Sequence, residues 1–300
     1  MASQFTLFGQ IAEAQALTPG LYIVATPIGN LGDITLRALA TLAGADGILA
    51  EDKRVTKILL NHYGIKTPIT TYHEHNAEAM RPHILERLKA GAKLALVSDA
   101  GTPLISDPGY KLVEAVIAED IPLTALPGAS ALLAGLVLSG LPSDRFFFEG
   151  FLPAKSGERR RRIRMLEAIP ATLIFYEGPH RLAETLVDLA AVLGERRGVM
   201  ARELTKKFET LRRGTLPELA AHFTAEGPPK GEIVLLVAPP GAAAVLDDAA
   251  IDAALAEALE THSQRDAVQR VAAELGLPKR RVYARALQRQ DGVPGDDDAP

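Results

Sequence analysis

Leu94-Ala-Leu-Val97 followed by Ser98-Asp-Ala-Gly-Thr-Pro103 is a short apolar run that stops at a polar, glycine-bearing turn. Such a run between turn signals reads as a buried strand. Asp107 and Pro108 have the chemistry of a helix N-cap and first helical position, and Leu112, Val113, Val116 and Ile117 recur on one face of the helix that would follow. The same unit repeats outward in both directions. Leu21-Tyr-Ile-Val-Ala25 runs into Thr26-Pro-Ile-Gly-Asn-Leu-Gly-Asp33 and then an amphipathic helix through Leu36, Leu39 and Leu42. Ile48-Leu-Ala50 ends in Glu51-Asp52, Ile69-Thr-Thr-Tyr72 precedes His73-Glu74-His75, and Leu123-Thr-Ala-Leu126 ends in Pro127-Gly128. Strands alternating with helices predict a mainly parallel α/β sheet, whose ligands sit beyond the carboxyl ends of the strands. Those ends carry Gly, Pro, Asp, Ser and Thr, which suit close backbone approach to a zwitterionic, nucleotide-like ligand.

Beyond Pro142 the texture changes. Phe146-Phe-Phe-Glu-Gly-Phe-Leu152 is aromatic-rich and precedes an arginine run on an expected helix reaching Leu166. Thr172-Leu-Ile-Phe-Tyr176, Val199-Met-Ala-Arg202, Glu209-Thr-Leu-Arg212 and Ile233-Val-Leu-Leu-Val237 read as strands of a second, mixed sheet with a hairpin. The expected organisation is a loose arm over residues 1–18, α/β domains over 19–142 and 143–240, and a linker over 241–260. A small helical unit over 261–290 and a disordered acidic tail over 291–300 complete it. In the helical unit Ser263-Gln-Arg-Asp266 has a capping-box pattern, with Val268, Val271, Ala272 and Leu275 on one inward stripe and Val282, Tyr283, Ala286 and Leu287 on the next. The unit reads as a helix-turn-helix-like pair too small to stand alone.

Composition excludes whole classes of chemistry. The 300 residues include no cysteine, so disulfides, thiolate nucleophiles, iron–sulfur clusters and cysteine-based zinc sites are ruled out. No G-x-G-x-x-G follows the first strand and no G-x-x-x-x-G-K-[ST] occurs, which disfavours ordinary dinucleotide and P-loop binding. His73-Glu74-His75 lacks helical zinc spacing, and no metal is expected. The first basic residue is Arg37, so no targeting peptide is expected. Residues 121–143 lack charge but are interrupted by prolines and glycines, which predicts a buried helix of about 10–12 residues rather than a membrane span. A cytoplasmic protein is expected.

Net charge is −4, yet three segments are each locally +5: residues 155–164, 196–213 and 261–290. Basic clusters on a mildly acidic protein suit a polyanion such as RNA. Lys155, Arg159, Arg160, Arg161 and Arg162 in the first cluster, and Arg281 and Arg285 in the last, are the candidate phosphate contacts; solvated helix faces are the alternative.

Taken in order, several motifs carry a resemblance. They are Thr26-Pro-Ile-Gly-Asn-Leu-Gly-Asp33, Ala50-Glu-Asp-Lys-Arg54, Tyr72-His-Glu-His-Asn76, residues 98–109 and Leu126-Pro-Gly-Ala-Ser130. Phe148-Glu-Gly-Phe-Leu-Pro153, Phe175-Tyr-Glu-Gly-Pro-His-Arg181, Ala201-Arg-Glu-Leu-Thr-Lys206 and Gly231-Glu-Ile-Val-Leu235 continue the series. Over residues 20–290 the chain resembles the bacterial ribosomal RNA small subunit methyltransferase I family, the RNA-modifying branch of the tetrapyrrole methylase superfamily. The resemblance implies two α/β domains enclosing a cleft, S-adenosylmethionine bound there in a folded conformation, and a homodimer. The implied reaction is 2′-O-methylation of a cytidine in the decoding region of 16S ribosomal RNA, with free RNA or the small ribosomal subunit as partner. Superfamily contacts to S-adenosylmethionine carry over to Pro27, Ile28, Asp99, Thr102, Ser130, Ala131, Tyr176, Leu204 and Glu232.

Methyl transfer from a sulfonium is mainly a positioning task, and a base that receives the hydroxyl proton helps. Glu177, His180 and Glu203 lead the candidates, beside Glu51, Asp52 and His75, and sequence does not rank them. Two other readings remain at this point: a small-molecule, tetrapyrrole-type methylase of the same fold, and a ligand-sensing helix-turn-helix regulator. The basic clusters argue against the first, and the preponderance of α/β sequence against the second.

Overall fold

The computed structural model describes residues 3–107, 109–241, 248–275 and 277–291. Its first sheet holds β3 (Gly20–Val24), β4 (Gly47–Ala50), β5 (Ile69–Thr71), β6 (Lys93–Val97) and β7 (Leu123–Leu126), all parallel, in the order β5-β4-β6-β3-β7. Both faces of this sheet are buried, as an all-parallel sheet requires. Tyr22 and Val24 of β3 pack with the helix α1 (Leu36–Gly44), and Leu21 and Ile23 pack on the opposite side with α3 (Ala77–Lys89) and α4 (Tyr110–Ala118). The α1 helix starts where Thr35 accepts a hydrogen bond from the Ala38 amide at 3.1 Å. The next helix, α2 (Lys53–His62), starts in the same way at Asp52.

The second sheet holds β8 (Phe146–Phe151), β9 (Thr172–Glu177), β10 (Arg197–Arg202), β11 (Thr210–Thr215) and β12 (Ile233–Val237), in the order β11-β10-β12-β9-β8. It is mixed: β8 and β9 are parallel, the other pairs antiparallel, and β10–β11 is the expected hairpin. One face carries α6 (Ser156–Leu166), α7 (Leu182–Leu193) and α8 (Leu216–Glu226). The other face is covered by α5 (Ala131–Ser139), the helix that follows β7 of the first sheet. Leu132 and Leu136 of α5 share a core with Ile174, Val199, Val234 and Leu236, and a Cβ at Gly135 would stand 3.2 Å from Val234. A helix of one domain thus forms part of the core of the other and ties the two domains together.

Five expectations change. Residues 1–18 are not a loose arm: β1 (Gln4–Leu7) and β2 (Gln10–Glu13) form a hairpin that buries Phe5 in the first domain's core. The Thr6 amide donates to the Tyr63 carbonyl at 2.7 Å. The expected linker over 241–260 contains α9 (Asp248–Leu259), whose Ile251, Leu255 and Ala258 pack with Val268, Val271 and Val282. The C-terminal unit is therefore three helices, completed by α10 (Gln264–Glu274) and α11 (Lys279–Asp291), rather than a pair. Because α9 supplies the apolar partner, Tyr283 and Leu287 are not inward; they are 50% and 40% exposed. The charge-free segment gives a nine-residue α5 with Leu133, Val137 and Leu138 exposed, shorter and less buried than expected. Finally, α4 is preceded by Gly109 as its N-cap, which leaves the Asp107 side chain to face elsewhere. Pro108 and the tail after Asp291 lie outside the described residues.

Candidate active site

Three loops at the carboxyl ends of β3, β6 and β7 are stitched together by hydrogen bonds. The Thr26 amide donates to the Gly101 carbonyl at 2.8 Å and the Gly101 amide returns a bond to Thr26 at 3.0 Å. Thr26 Oγ1 donates to the Ser98 carbonyl at 3.2 Å, and Thr102 Oγ1 donates to the Ala129 carbonyl at 3.2 Å. Gly101 has φ +78°, and a Cβ there would stand 3.3 Å from the Ile28 side chain, so a larger residue would strain both loops. These loops form one wall of a cavity of about 480 Å³; Tyr176, Leu204, Glu232, Ile233 and Val234 of the second domain form the other.

Eight of the nine cofactor positions expected from sequence line this one cavity: Ile28, Asp99, Thr102, Ser130, Ala131, Tyr176, Leu204 and Glu232. Pro27 instead lines an adjoining cavity of about 220 Å³, together with Ile28, Asp99, Ala100, Thr56 and Lys206. Leu204 enters the cavity wall from a strained turn in which Glu203 and Thr205 both have positive φ, +53° and +65°. Tyr176 is held edge-on by Phe148 at 4.9 Å and Phe151 at 5.7 Å between ring centroids, and burial raises its phenol above the ordinary value.

The cavity is acidic. Glu51, Asp99 and Asp107 share its wall, and burial raises all three carboxyls, aided by the Asp99 charge at Glu51, by Asp52 at Asp99, and by Glu51 and Asp99 at Asp107. Asp107 is lifted to about 6. Asp99 also accepts from the Asp52 amide at 3.0 Å, which ties the start of α2 to the site. The residues therefore fit a cationic ligand such as a sulfonium and ammonium carrier, since each acid gains by acquiring a positive neighbour.

The expected bases fare differently. Glu177 lines the cavity, but its carboxylate is engaged: Thr185 Oγ1 donates to Oε2 at 2.6 Å, the Gly178 amide to Oε1 at 2.8 Å, and Arg181 lies 3.3 Å away. It anchors the loop after β9. Glu203 accepts from Lys206 Nζ at 2.9 Å and from the Glu232 amide at 3.2 Å, and Lys206 holds its carboxyl below the usual range. Asp52 caps α2 and is lowered to about 2 by hydrogen bonds from Arg54. His180 is exposed and, like His75, stands outside the cavity lining. The His73 and His75 rings meet edge-on at 5.9 Å. Asp107 is the acid that sequence reading missed, because its Asp-Pro pairing mimics a helix start.

The arginine run also divides. Arg159 is buried, with Nε 2.6 Å from Asp188 and Nη2 3.5 Å from Glu184 on α7, so it is not an RNA contact. Arg160 shares Asp188 at 2.5 Å, and Arg162 pairs with Glu149 of β8. Lys155, Arg161 and Arg164 are the exposed cations of this segment. Arg285 of α11 bonds Asp252 of α9 at 2.5 and 2.8 Å, which makes it a brace within the helical unit.

The comparisons with known proteins agree with this geometry. A model of the tetrapyrrole (corrin/porphyrin) methylases matches residues 20–220, and one of the RsmI C-terminal HTH domain matches residues 245–290. The ribosomal RNA small subunit methyltransferase I of Mesorhizobium japonicum is 50% identical over 93% of this chain and 95% of its own. The protein of the same name from Xylella fastidiosa is 50% identical over 89% of this chain and 98% of its own. The chain belongs to the ribosomal RNA small subunit methyltransferase I family. Like the rest of that family it is a methyltransferase on a tetrapyrrole methylase scaffold, with S-adenosylmethionine as donor. Among solved structures, diphthine synthase superposes with a TM-score of 0.57 at 17% identity, over 73% of this chain and 89% of that one. The methyltransferase CobJ superposes with 0.55 at 21% identity, over 75% and 96%. These two likenesses concern the fold alone.

Proposed function

We propose that the chain methylates the ribose 2′-oxygen of a cytidine in the decoding region of 16S ribosomal RNA. The observation that carries this reading is the convergence of eight expected cofactor positions on one interdomain cavity, in a chain of the rRNA methyltransferase family. S-adenosylmethionine, when bound, supplies an electrophilic methyl group. Asp99, with Glu51 and Asp107, favours the cationic part of that ligand, while Leu204, Val234 and Ala131 offer an apolar seat for its ring system. Thr102 and Ser130 place hydroxyl groups along the same wall.

Lys155, Arg161 and Arg164 on α6 supply phosphate contacts, and the C-terminal helices dock RNA outside the cleft. Two copies associate as a homodimer, supported by the exposed apolar Leu133, Val137 and Leu138 of α5. No described helix is long and apolar enough to cross a membrane, and a cytoplasmic site of action follows from the substrate. Incubation of the purified chain with S-adenosylmethionine and small subunits from a strain lacking the modification tests the function. Nucleoside mass spectrometry is expected to find 2′-O-methylcytidine; methylation on a base, or none, would refute the reading.

A further inference from the structure

Phe151 is a large apolar side chain that lines the cavity yet stays 57% exposed. Its position depends on a β-bulge. Phe148 pairs with Ile174 and Phe151 with Tyr176, so one extra residue is inserted in β8 between them, and Gly150 takes φ +75°. Without the bulge, residues 148 and 151 would point to opposite faces of the sheet. With it, both rings rest on Tyr176, and the strand delivers Phe151 to the cleft. Bulges beside active sites commonly re-aim a side chain in this way.

The same bulge receives the first domain's loop. A Cβ on Gly150 would stand 3.0 Å from Ser106 Oγ, so the absence of a side chain there lets residues 104–107 approach β8. Leu104 and Ser106 hold this loop in left-handed conformations, φ +73° and +65°, a strain kept where a loop must be aimed. Its product is Asp107, next to Ser106 and on the wall that Phe151 also lines.

We infer that this rim is the acceptor subsite: the target nucleobase stacks on the Phe151 ring, and its ribose 2′-hydroxyl meets the Asp107 carboxylate, which takes the proton. The inference rests on the proposed function. Recognition of an unpaired base commonly uses an aromatic face, and an exposed ring at the mouth of a donor cavity offers one. The carboxylate accepts the hydroxyl proton as the oxygen lone pair forms the new O–C bond; the electron pair of the broken C–S bond stays on sulfur, and Asp107 later releases the proton to water. Of the other cavity acids, Glu177 is engaged by Thr185 and Arg181 and Glu232 by Lys206, Asp99 accepts the Asp52 amide and is assigned to the cofactor cation, and Glu51 is the remaining alternative, which the pH profiles separate from Asp107. Asp107 faces Glu51 and Asp99, with the Tyr176 phenol across the cavity, while Ser98 Oγ donates to the Ala100 and Gly101 carbonyls. Its carboxyl, near 6, is ionised at neutral pH and basic enough to assist.

The test replaces Phe151 with photoreactive benzoylphenylalanine and crosslinks the full chain to small subunits lacking the modification. A crosslink at the methylated cytidine is expected; crosslinks confined to other nucleotides overturn the subsite. In kinetics, Phe151→Ala should raise KM for subunits about tenfold, with Phe151→Tyr restoring it and S-adenosylmethionine affinity by calorimetry within about twofold of the parent. Asp107→Asn should lower kcat about 100-fold or more with KM for subunits unchanged, and abolish the rise in rate through pH 6, a limb that Glu51→Gln keeps but moves to lower pH because the Glu51 charge helps to raise Asp107. An unchanged KM for Phe151→Ala, or loss of the pH limb in Glu51→Gln instead, refutes the assignment while methylation by the parent chain leaves the functional reading intact. Absence of methylation by the parent chain overturns both.

Discussion

Asp107 sits against Glu51 and Asp99, and burial among them lifts its carboxyl to about 6. Between the ordinary carboxylate value and 6, the folded chain holds a proton that the unfolded chain has lost. Stability from this group is therefore full below the ordinary value and is lost as pH rises through 6. Asp107→Asn should raise unfolding free energy at pH 7.5 by about 1–3 kcal/mol, and by nothing below about pH 4, as denaturant titration at the two pH values would show. Asp99 has a different duty. Asp99→Ala should weaken S-adenosylmethionine binding by about 1.5–3 kcal/mol, the range for a charge-assisted hydrogen bond, while circular dichroism stays native. Calorimetry showing the parent affinity would remove Asp99 from the cofactor site. The Asp99 position was legible because Ser98-Asp99 ends an unmistakable strand. Asp107 was not, since its role depends on where Gly109 starts α4 and on the β8 bulge, and both are set by contacts distant in sequence.

At the scale of one element, α6 shows why a charge run misleads. Its residues 159–162 are four consecutive arginines, and a helix spreads consecutive residues around its circumference. Arg159 faces α7 and is buried on Asp188, whereas Arg161 faces water. The consequences should separate cleanly. Arg159→Ala removes the buried one of the two arginines on Asp188, which keeps Arg160 and Ser156, and should cost about 3 kcal/mol of stability in thermal unfolding. Arg161→Ala with Arg164→Ala should leave stability within about 0.5 kcal/mol, lower RNA affinity and reduce its salt slope by about one for each contact. A salt slope equal to the parent's would make the exposed side of α6 a solvated surface. Element type was readable for the other nine strands of the two five-stranded sheets, because apolar runs bounded by Gly, Pro and Asp report burial locally; β8 read only as an aromatic-rich stretch, because its bulge and Gly150 break the alternation of a strand. The hairpin at residues 4–13 escaped because Phe5 alone is fully buried, with Leu7 and Ala12 only half-buried against the core, too little apolar pattern to announce a strand pair.

For the whole molecule, the three C-terminal helices form their own core around Ile251, Leu255, Val268, Val271 and Val282, separate from the four cores of the α/β body. Truncation after Pro240 should therefore leave a folded body that binds S-adenosylmethionine with parental affinity but methylates small subunits poorly. Methylation at the parental rate would deny the helices a docking role, and failure to fold would make them a brace. The sequence by itself determined the two α/β domains, the strand-end loops that line the interdomain cavity and the family to which the chain belongs. All of these are written in contiguous segments whose apolar periodicity and turn residues act over a few positions. The tertiary structure alone decided which charges are spent internally, that α5 welds the two domains into one cleft, and that Phe151 and Asp107 share its rim. Those outcomes depend on which side chains meet across the sheets, and burial and pairing between distant segments leave no local pattern to read.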